Sequence, residues 1–329
     1  MATTTHQLQT PAALVSAADL DHNLSTMAAA LPGSRLRPHV KAHKCTALAR
    51  RQAAAGHRHF TCATIREVEG LAAAGLGDDL LLANEVVDAR RLGALAARVT
   101  VAVDSPATIT AAAAGGVREV VIDVNVGLPR CGCAPEDAGR LADLARRQGL
   151  VVRGVMGYEG HAVGIADHGT RERLTEDAMV LLLLAHAQVG GELISAGGTG
   201  TYECNVWATE IQAGSYALMD TAYAQLDLPF RQALSILATV ISVSPNYAVA
   251  DCGLKALGMD HGNPTINGAQ VLFCSDEHVT FVPEHPARVG DRIHVWPAHI
   301  DPTVAYHERL HVVSGEDVLE TWAVDLRGW

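Results

Sequence analysis

The sequence predicts an α/β protein: a (β/α)8 barrel of the TIM type followed by a C-terminal all-β domain. Eight short strand candidates lie between residues 36 and 213, mostly alternating with helical segments. They are continuous apolar runs, the pattern of parallel strands buried on both faces. Beyond residue 234 the helical pattern gives way to strand-like runs separated by Pro, Gly, Asn and Asp turns. A doubly wound open sheet is the rival, weakened because no G-x-G-x-x-G follows the first strand.

In chain order, residues 14–16 form a short strand and 19–31 an amphipathic helix ended by Pro32-Gly33. Residues 36–40 are the first barrel strand, and 46–55 a helix closed by Gly56. After the strand 59–63, Thr64-Ile65-Arg66-Glu67 has the capping-box form that opens a helix. Strand 79–83 precedes helix 86–97. Strand 99–103 precedes Ser105-Pro106, an N-cap with proline at the first helical position. Strand 119–126, helix 135–148, strand 150–156 and the long helix 171–189 follow, with 192–195 and 210–213 as the last two strands. In the β domain, strands fall at 236–243, 248–250, 279–282, 292–296, 310–313 and 319–324. The division is therefore 20–233 for the barrel, and 1–19 plus 234–329 for the β domain.

A net charge of −11 argues against nucleic acid, which asks for a basic stripe. The longest apolar run, near residues 180–187, is too short to span a bilayer. The N-terminus lacks the charged and apolar regions of a signal peptide. Seven scattered cysteines with no C-x-x-C pair favour neither a disulfide framework nor a paired-cysteine zinc site, so the chain reads as reduced and cytoplasmic.

The chemistry gathers where barrel strands end. Lys41 and His43 follow the first strand, Arg130 the fifth, Tyr158 and His161 the sixth, Thr199 and Thr201 the seventh, Ser215 and Tyr216 the eighth. Ser195-Ala196-Gly197-Gly198-Thr199-Gly200-Thr201 lets backbone N–H groups approach an anion, and hydroxyls add donors. Gly214-Ser215-Tyr216 lies where barrels often complete a phosphate site. A lysine, an arginine, tyrosines and two glycine-bearing loops at one end form the environment of a phosphate-bearing cofactor. Taken singly, each of these is as well explained by an ordinary turn.

Arg37-Pro38-His39-Val40-Lys41-Ala42-His43-Lys44, Arg130-Cys131-Gly132, Gly157-Tyr158-Glu159-Gly160-His161, the Gly197 loop, Gly214-Ser215-Tyr216 and Pro297-Ala298-His299-Ile300-Asp301 occur in that order. Together they resemble the fold-type III pyridoxal-phosphate enzymes of the D-threonine aldolase and D-serine dehydratase group. Those enzymes join an alanine-racemase-like barrel to a C-terminal β domain. The resemblance implies that Lys41 bonds covalently to pyridoxal 5'-phosphate. Chemistry agrees, because an attacking amine must be neutral and the nearby cations Lys44 and Arg37 favour that form. It also implies Arg130 and Tyr158 beside the cofactor ring, with Gly198, Thr199, Gly214, Ser215 and Tyr216 around its phosphate.

His299 and Asp301 follow strand 292–296, and strand alternation would put residues i and i+2 on one face. The family carries its metal pair there: H-x-C members resemble zinc-dependent dehydratases, and H-x-D members resemble aldolases. A hard carboxylate suits Mn²⁺ or Mg²⁺ and does not exclude Zn²⁺. The implied reaction is retro-aldol cleavage of a D-configured β-hydroxy-α-amino acid to glycine and an aldehyde, with His161 as base. The family's histidine position is here Gly164, with histidines at 161 and 168 instead. A dehydratase giving a keto acid and ammonia is the nearest alternative, and a non-catalytic pyridoxal-phosphate carrier the one from another class. The partner implied is an amino-acid substrate, and the resemblance implies a homodimer.

Overall fold

The computed structural model describes residues 3–329; residues 1 and 2 of the segment assigned to the β domain, and the part of the N-terminal reading resting on them, lie outside the described residues. In chain order the elements are β1 (Ala12–Ser16), α1 (Ala17–Ala30), α2 (Thr46–Ala54), β2 (His59–Cys62), α3 (Ile65–Ala73) and β3 (Asp79–Leu82). Next come α4 (Arg90–Gly93), β4 (Val99–Val103), α5 (Pro106–Ala114), β5 (Glu119–Asp123), α6 (Ala138–Arg147) and β6 (Val151–Met156). They are followed by α7 (His168–Val189), β7 (Leu193–Ala196), β8 (Glu210–Ile211), β9 (Leu234–Val243), β10 (Ala248–Ala250) and β11 (Thr265–Ile266). The chain ends through β12 (Ala269–Cys274), β13 (Val279–Pro283), β14 (Arg292–Trp296), α8 (Ile300–Tyr306), β15 (Arg309–Ser314) and β16 (Asp317–Ala323). These elements sort into two compact units.

One unit comprises Met27–Lys41, Leu48–Gly214 and Leu326–Trp329. Its seven strands pair in parallel in the order β2-β3-β4-β5-β6-β7-β8. Leu81, Ala102, Val121, Met156 and Leu193, one from each of β3 to β7, pack into one buried cluster. Residues 36–40, expected as the first barrel strand, form no regular strand. They make isolated parallel bridges instead, Leu36 with Ile211 and His39 with Thr61. Pro38 has no N–H to give a ladder, and from Val40 the backbone turns into a single 3-10 turn through Ala42.

Helix starts follow local chemistry. Thr64 accepts from the Glu67 N–H at 3.2 Å, and Glu67 reaches back to the Ala63 N–H at 2.6 Å. Ser105 accepts from the Thr108 N–H at 3.3 Å ahead of Pro106. The helix expected over 86–97 shrinks to α4, because Val87 is 88 % exposed with no core to pack against. Within α4, Gly93 abuts the backbone of Gly115 and Gly116, so no Cβ fits there, and glycine is a weak helix former.

The other unit contains the chain up to Thr26, Ala42–Ala47 and Ser215–Asp325. Its nine strands run β10-β13-β12-β11-β14-β9-β1-β15-β16, and β9 also pairs with β10. The long β9 therefore closes β10, β13, β12, β11 and β14 into a barrel, leaving no edge on that side. β1 lies between β9, antiparallel, and β15, parallel. Ala12, Leu14, Leu237 and Val313 form its buried cluster at this junction. One correction bears on function: His299 and Asp301 do not alternate along a strand. His299 is the N-cap of α8, and Asp301 stands in its first turn. Pro302 is compatible with that turn, whose N–H groups have no intrahelical partner. A carboxylate there is favoured by the helix dipole.

Candidate active site

In the unit of parallel strands, residue chemistry converges on Tyr158, just beyond β6. Lys41 Nζ lies 5.9 Å from the Tyr158 ring centroid, and the Arg130 guanidinium carbon lies 5.4 Å from the same centroid. Two cations directed at one aromatic ring form a place for an anionic, planar ligand. Arg37 is not a free neighbour of this amine. It is fully buried, donating Nε to Glu210 at 2.8 Å and Nη1 to Asp79 at 3.0 Å. Burial alone would lower its pKa, but those two carboxylates hold it up. Lys44 takes a left-handed backbone with φ +46° and belongs to the other unit.

Glu159, which the sequence reading left without a role, is fully buried beside Tyr158. It accepts from the Gly197 N–H at 3.0 Å, Thr201 Oγ1 at 2.9 Å and Asn205 Nδ2 at 3.0 Å. The glycine-rich loop is thus tied to the end of β6. Gly200 is required where its Cα meets the Val163 carbonyl, since a Cβ would run into that oxygen. Gly198 lies against Tyr158, where a Cβ would stand 3.5 Å from the ring, and Thr199 is buried. Nothing in the sequence distinguished an inward glutamate inside Gly-Tyr-Glu-Gly-His from a turn residue.

His161 packs on the backbone of Gly127, whose missing Cβ would fall 2.7 Å from His161 Cε1. Its Nδ1 is buried without a hydrogen-bond partner. His168 is instead an exposed residue opening α7, its Nε2 3.6 Å from Glu203. Nearby, Asp123 ends β5 in a buried setting shared with Glu85. Burial first, then the Glu85 charge and hydrogen bond, raise its pKa well above the usual carboxylate range. Burial and nearby carboxylates push Cys131 up to about 11 and Cys133 up to about 12, so both thiols stay protonated at neutral pH. None of the seven cysteines forms a disulfide.

The remaining predicted residues lie in the other unit. Ser215 and Tyr216 open a 3-10 turn directly after Gly214. Tyr216 is fully buried with its ring 5.7 Å from Phe230. At the start of α8, His299 Nε2 stands 4.0 Å from Asp301 Oδ1. Two further residues join them that sequence reading did not single out. Asp260 Oδ2 is 2.7 Å from His299 Nδ1, and the His261 ring stacks on His299 with centroids 4.0 Å apart. Asp260, His261 and His299 form a cluster able to hold a metal ion. Imidazole nitrogens with carboxylate oxygens suit Mn²⁺, Zn²⁺ and related divalent ions. No spacing rule links Asp260-His261 to His299 across 39 positions. Asp220, buried, accepts from the Ile300 N–H at 3.0 Å and the Tyr223 N–H at 2.9 Å, fixing where α8 begins.

A parallel-strand unit carrying a lysine, an arginine and a tyrosine in one place, joined to a β unit, is the architecture of an alanine-racemase-like enzyme, and comparison with known proteins agrees. Residues 15–221 match the family described as alanine racemase, N-terminal domain, and residues 233–313 match a putative serine dehydratase domain. A D-threonine aldolase of Arthrobacter sp. is 32 % identical, covering 98 % of this chain and 94 % of its own length. The crystal structure of a D-threonine aldolase from Filomicrobium marinum superposes with a TM-score of 0.94 at 31 % identity, over 100 % of this chain and 98 % of that one. A D-threo-3-hydroxyaspartate dehydratase from Delftia sp. HT23 gives 0.88 at 25 % identity, over 99 % and 100 %. The chain belongs to the fold-type III family of D-threonine aldolases and D-serine dehydratases, with its alanine-racemase-like N-terminal part, and is a lyase. No helix among the described residues is long and apolar enough to cross a membrane.

Proposed function

We propose that the chain is a pyridoxal-phosphate- and divalent-metal-dependent aldolase that cleaves D-β-hydroxy-α-amino acids to glycine and an aldehyde. The observation that carries this reading is the convergence of Lys41 and Arg130 on Tyr158, in a chain similar to D-threonine aldolases along its whole length. Pyridoxal phosphate, when bound, supplies the electron sink for the bonding pair released as Cα–Cβ breaks. Lys41 holds it covalently and Arg130 and Tyr158 orient its ring. The loop of Gly198 and Thr199, pinned by Glu159 and by the Gly198 N–H donating to Thr201 Oγ1 at 3.1 Å, would lie against its phosphate, with Gly214, Ser215 and Tyr216 as further contacts. On this reading the bridges of residues 36–39 to Thr61 and Ile211 are the remnant of the eighth strand of a (β/α)8 barrel.

His161, three residues beyond Tyr158, is the group that would accept the proton of the substrate's β-hydroxyl. His299 and Asp301 hold the divalent ion, whose contribution is Lewis acidity toward that hydroxyl. An aspartate rather than a thiolate at position 301 supports the aldolase over the dehydratase. The test is to incubate the purified protein with D-threonine, D-phenylserine and D-serine, with and without a chelator. Glycine and aldehyde, lost on chelation and restored by Mn²⁺, are expected. Keto acid and ammonia overturn the aldolase, and full activity after chelation removes the roles of His299 and Asp301.

A further inference from the structure

We infer that Asp260 is a positioning residue that aims His299 at a divalent ion, with His261 clamping the same ring from its face. The inference rests on the proposed ion-binding role of His299 and extends it to two residues outside the H-x-D motif. An imidazole offers its two nitrogens to different partners, and the partner of one decides what the other can do. Asp260 Oδ2 lies 2.7 Å from His299 Nδ1. A carboxylate only accepts, so Nδ1 carries the hydrogen, and in the neutral imidazole that ligates a metal Nε2 is then the nitrogen with the lone pair. That nitrogen faces Asp301, whose Oδ1 is 4.0 Å away. Two ligand atoms each about 2.1 Å from one ion stand at most about 4.2 Å apart, so both can reach the same ion.

Ring rotation is blocked from a second direction. The His261 ring lies parallel to His299 within 6°, centroids 4.0 Å apart, and its Nε2 is 3.8 Å from Asp260 Oδ2. The backbone holds the two segments in place. Gly258 bridges His299, the Gly258 N–H donates to Thr303 Oγ1 at 2.8 Å, and that hydroxyl donates to the His299 carbonyl at 2.6 Å. A Cβ at Gly258 would collide with Pro302, so glycine is what lets the 258–261 segment lie this close to α8. The ring is thereby set before any ion arrives.

The test is Mn²⁺ binding to the full-length protein reconstituted with pyridoxal phosphate, followed by electron paramagnetic resonance and calorimetry. Asp260→Ala is expected to bind Mn²⁺ about 10- to 100-fold more weakly, the usual effect of losing a carboxylate behind a ligating histidine. Asp260→Asn keeps an oxygen that accepts from Nδ1–H and is expected to stay close to wild type. Both variants should retain the wild-type melting temperature without added metal, because the Asp260 side chain is 55 % exposed. Asp260→Ala binding as tightly as wild type overturns the positioning role alone. Asp260→Asn as weak as Asp260→Ala also overturns it, by making Asp260 a direct ligand that needs its charge. Wild-type protein that binds no Mn²⁺ removes the ion-binding reading itself.

Discussion

A buried carboxylate surrounded by donors holds a loop more tightly than the loop's own sequence can. Glu159 takes hydrogen bonds from Gly197, Thr201 and Asn205 with no exposure to water. Replacing it by alanine strands those donors, at about 1–3 kcal/mol for each buried group left without a partner. Glu159→Ala is therefore expected to unfold in less urea and to bind pyridoxal phosphate at least about tenfold more weakly, one decade being about 1.4 kcal/mol. Glu159→Gln, which keeps an acceptor oxygen, should lose less of both. Unchanged cofactor affinity in Glu159→Ala would separate this carboxylate from the phosphate loop. At this scale the sequence revealed residue types and order, and it placed Lys41, Tyr158 and Arg130 in one neighbourhood. It was silent on Glu159, Asp260 and His261, because inward orientation and contacts between distant segments leave no local pattern.

Among the elements, a charge network ties strand to strand. Asp79, the first residue of β3, receives Arg37 Nη1 at 3.0 Å and Arg153 Nη1 from β6 at 2.9 Å, while Arg37 also meets Glu210 of β8. Burial opposes ionisation of Asp79, but hydrogen bonds and charge from Arg153 and Arg37 outweigh it and bring its pKa down to about 2 from 3.8. A carboxyl more acidic in the folded than in the unfolded chain adds stability above the unfolded value, and this is lost as pH falls through the folded one. Acid unfolding should therefore draw on Asp79 between about pH 4 and pH 2. Asp79→Asn should flatten that part of the pH–stability curve. It should also cost about 3–5 kcal/mol at neutral pH, since two buried guanidinium groups lose a counter-charge. A pH profile identical to wild type contradicts the network's role.

The same scale explains which elements were legible. Buried parallel strands such as β4, Val-Thr-Val-Ala-Val, announce themselves by composition. The segment 36–40 looked like a strand from its apolar residues, yet Pro38 has no N–H to donate and the backbone enters a 3-10 turn at Val40, so only isolated bridges form. β12 was missed because its burial alternates between half-buried and exposed, with Phe273 55 % exposed. α8 was missed because Pro302 reads as a helix breaker, although in a first turn it is tolerated. That helix is also why the H-x-D pair meets: successive residues at a helix start bring it together, where the sequence suggested strand alternation.

For the whole molecule, the candidate residues fall in two compact units: Lys41, Arg130 and the glycine-rich loop in one, and the Asp260, His261 and His299 cluster in the other. The units do not follow the expected boundary at 233, since residues 215–233 group with the β strands, and family models match residues 15–221 and 233–313. The account as a whole depends on which lysine bears the cofactor. Lys41 Nζ lies 5.9 Å from the Tyr158 ring centroid, whereas Lys44 takes a left-handed backbone with φ +46°. The direct measurement is the visible absorption of protein reconstituted with pyridoxal phosphate, in wild type, Lys41→Ala and Lys44→Ala. The band of lysine-bound cofactor should vanish in Lys41→Ala and persist in Lys44→Ala. A band that survives Lys41→Ala and disappears in Lys44→Ala would contradict the account.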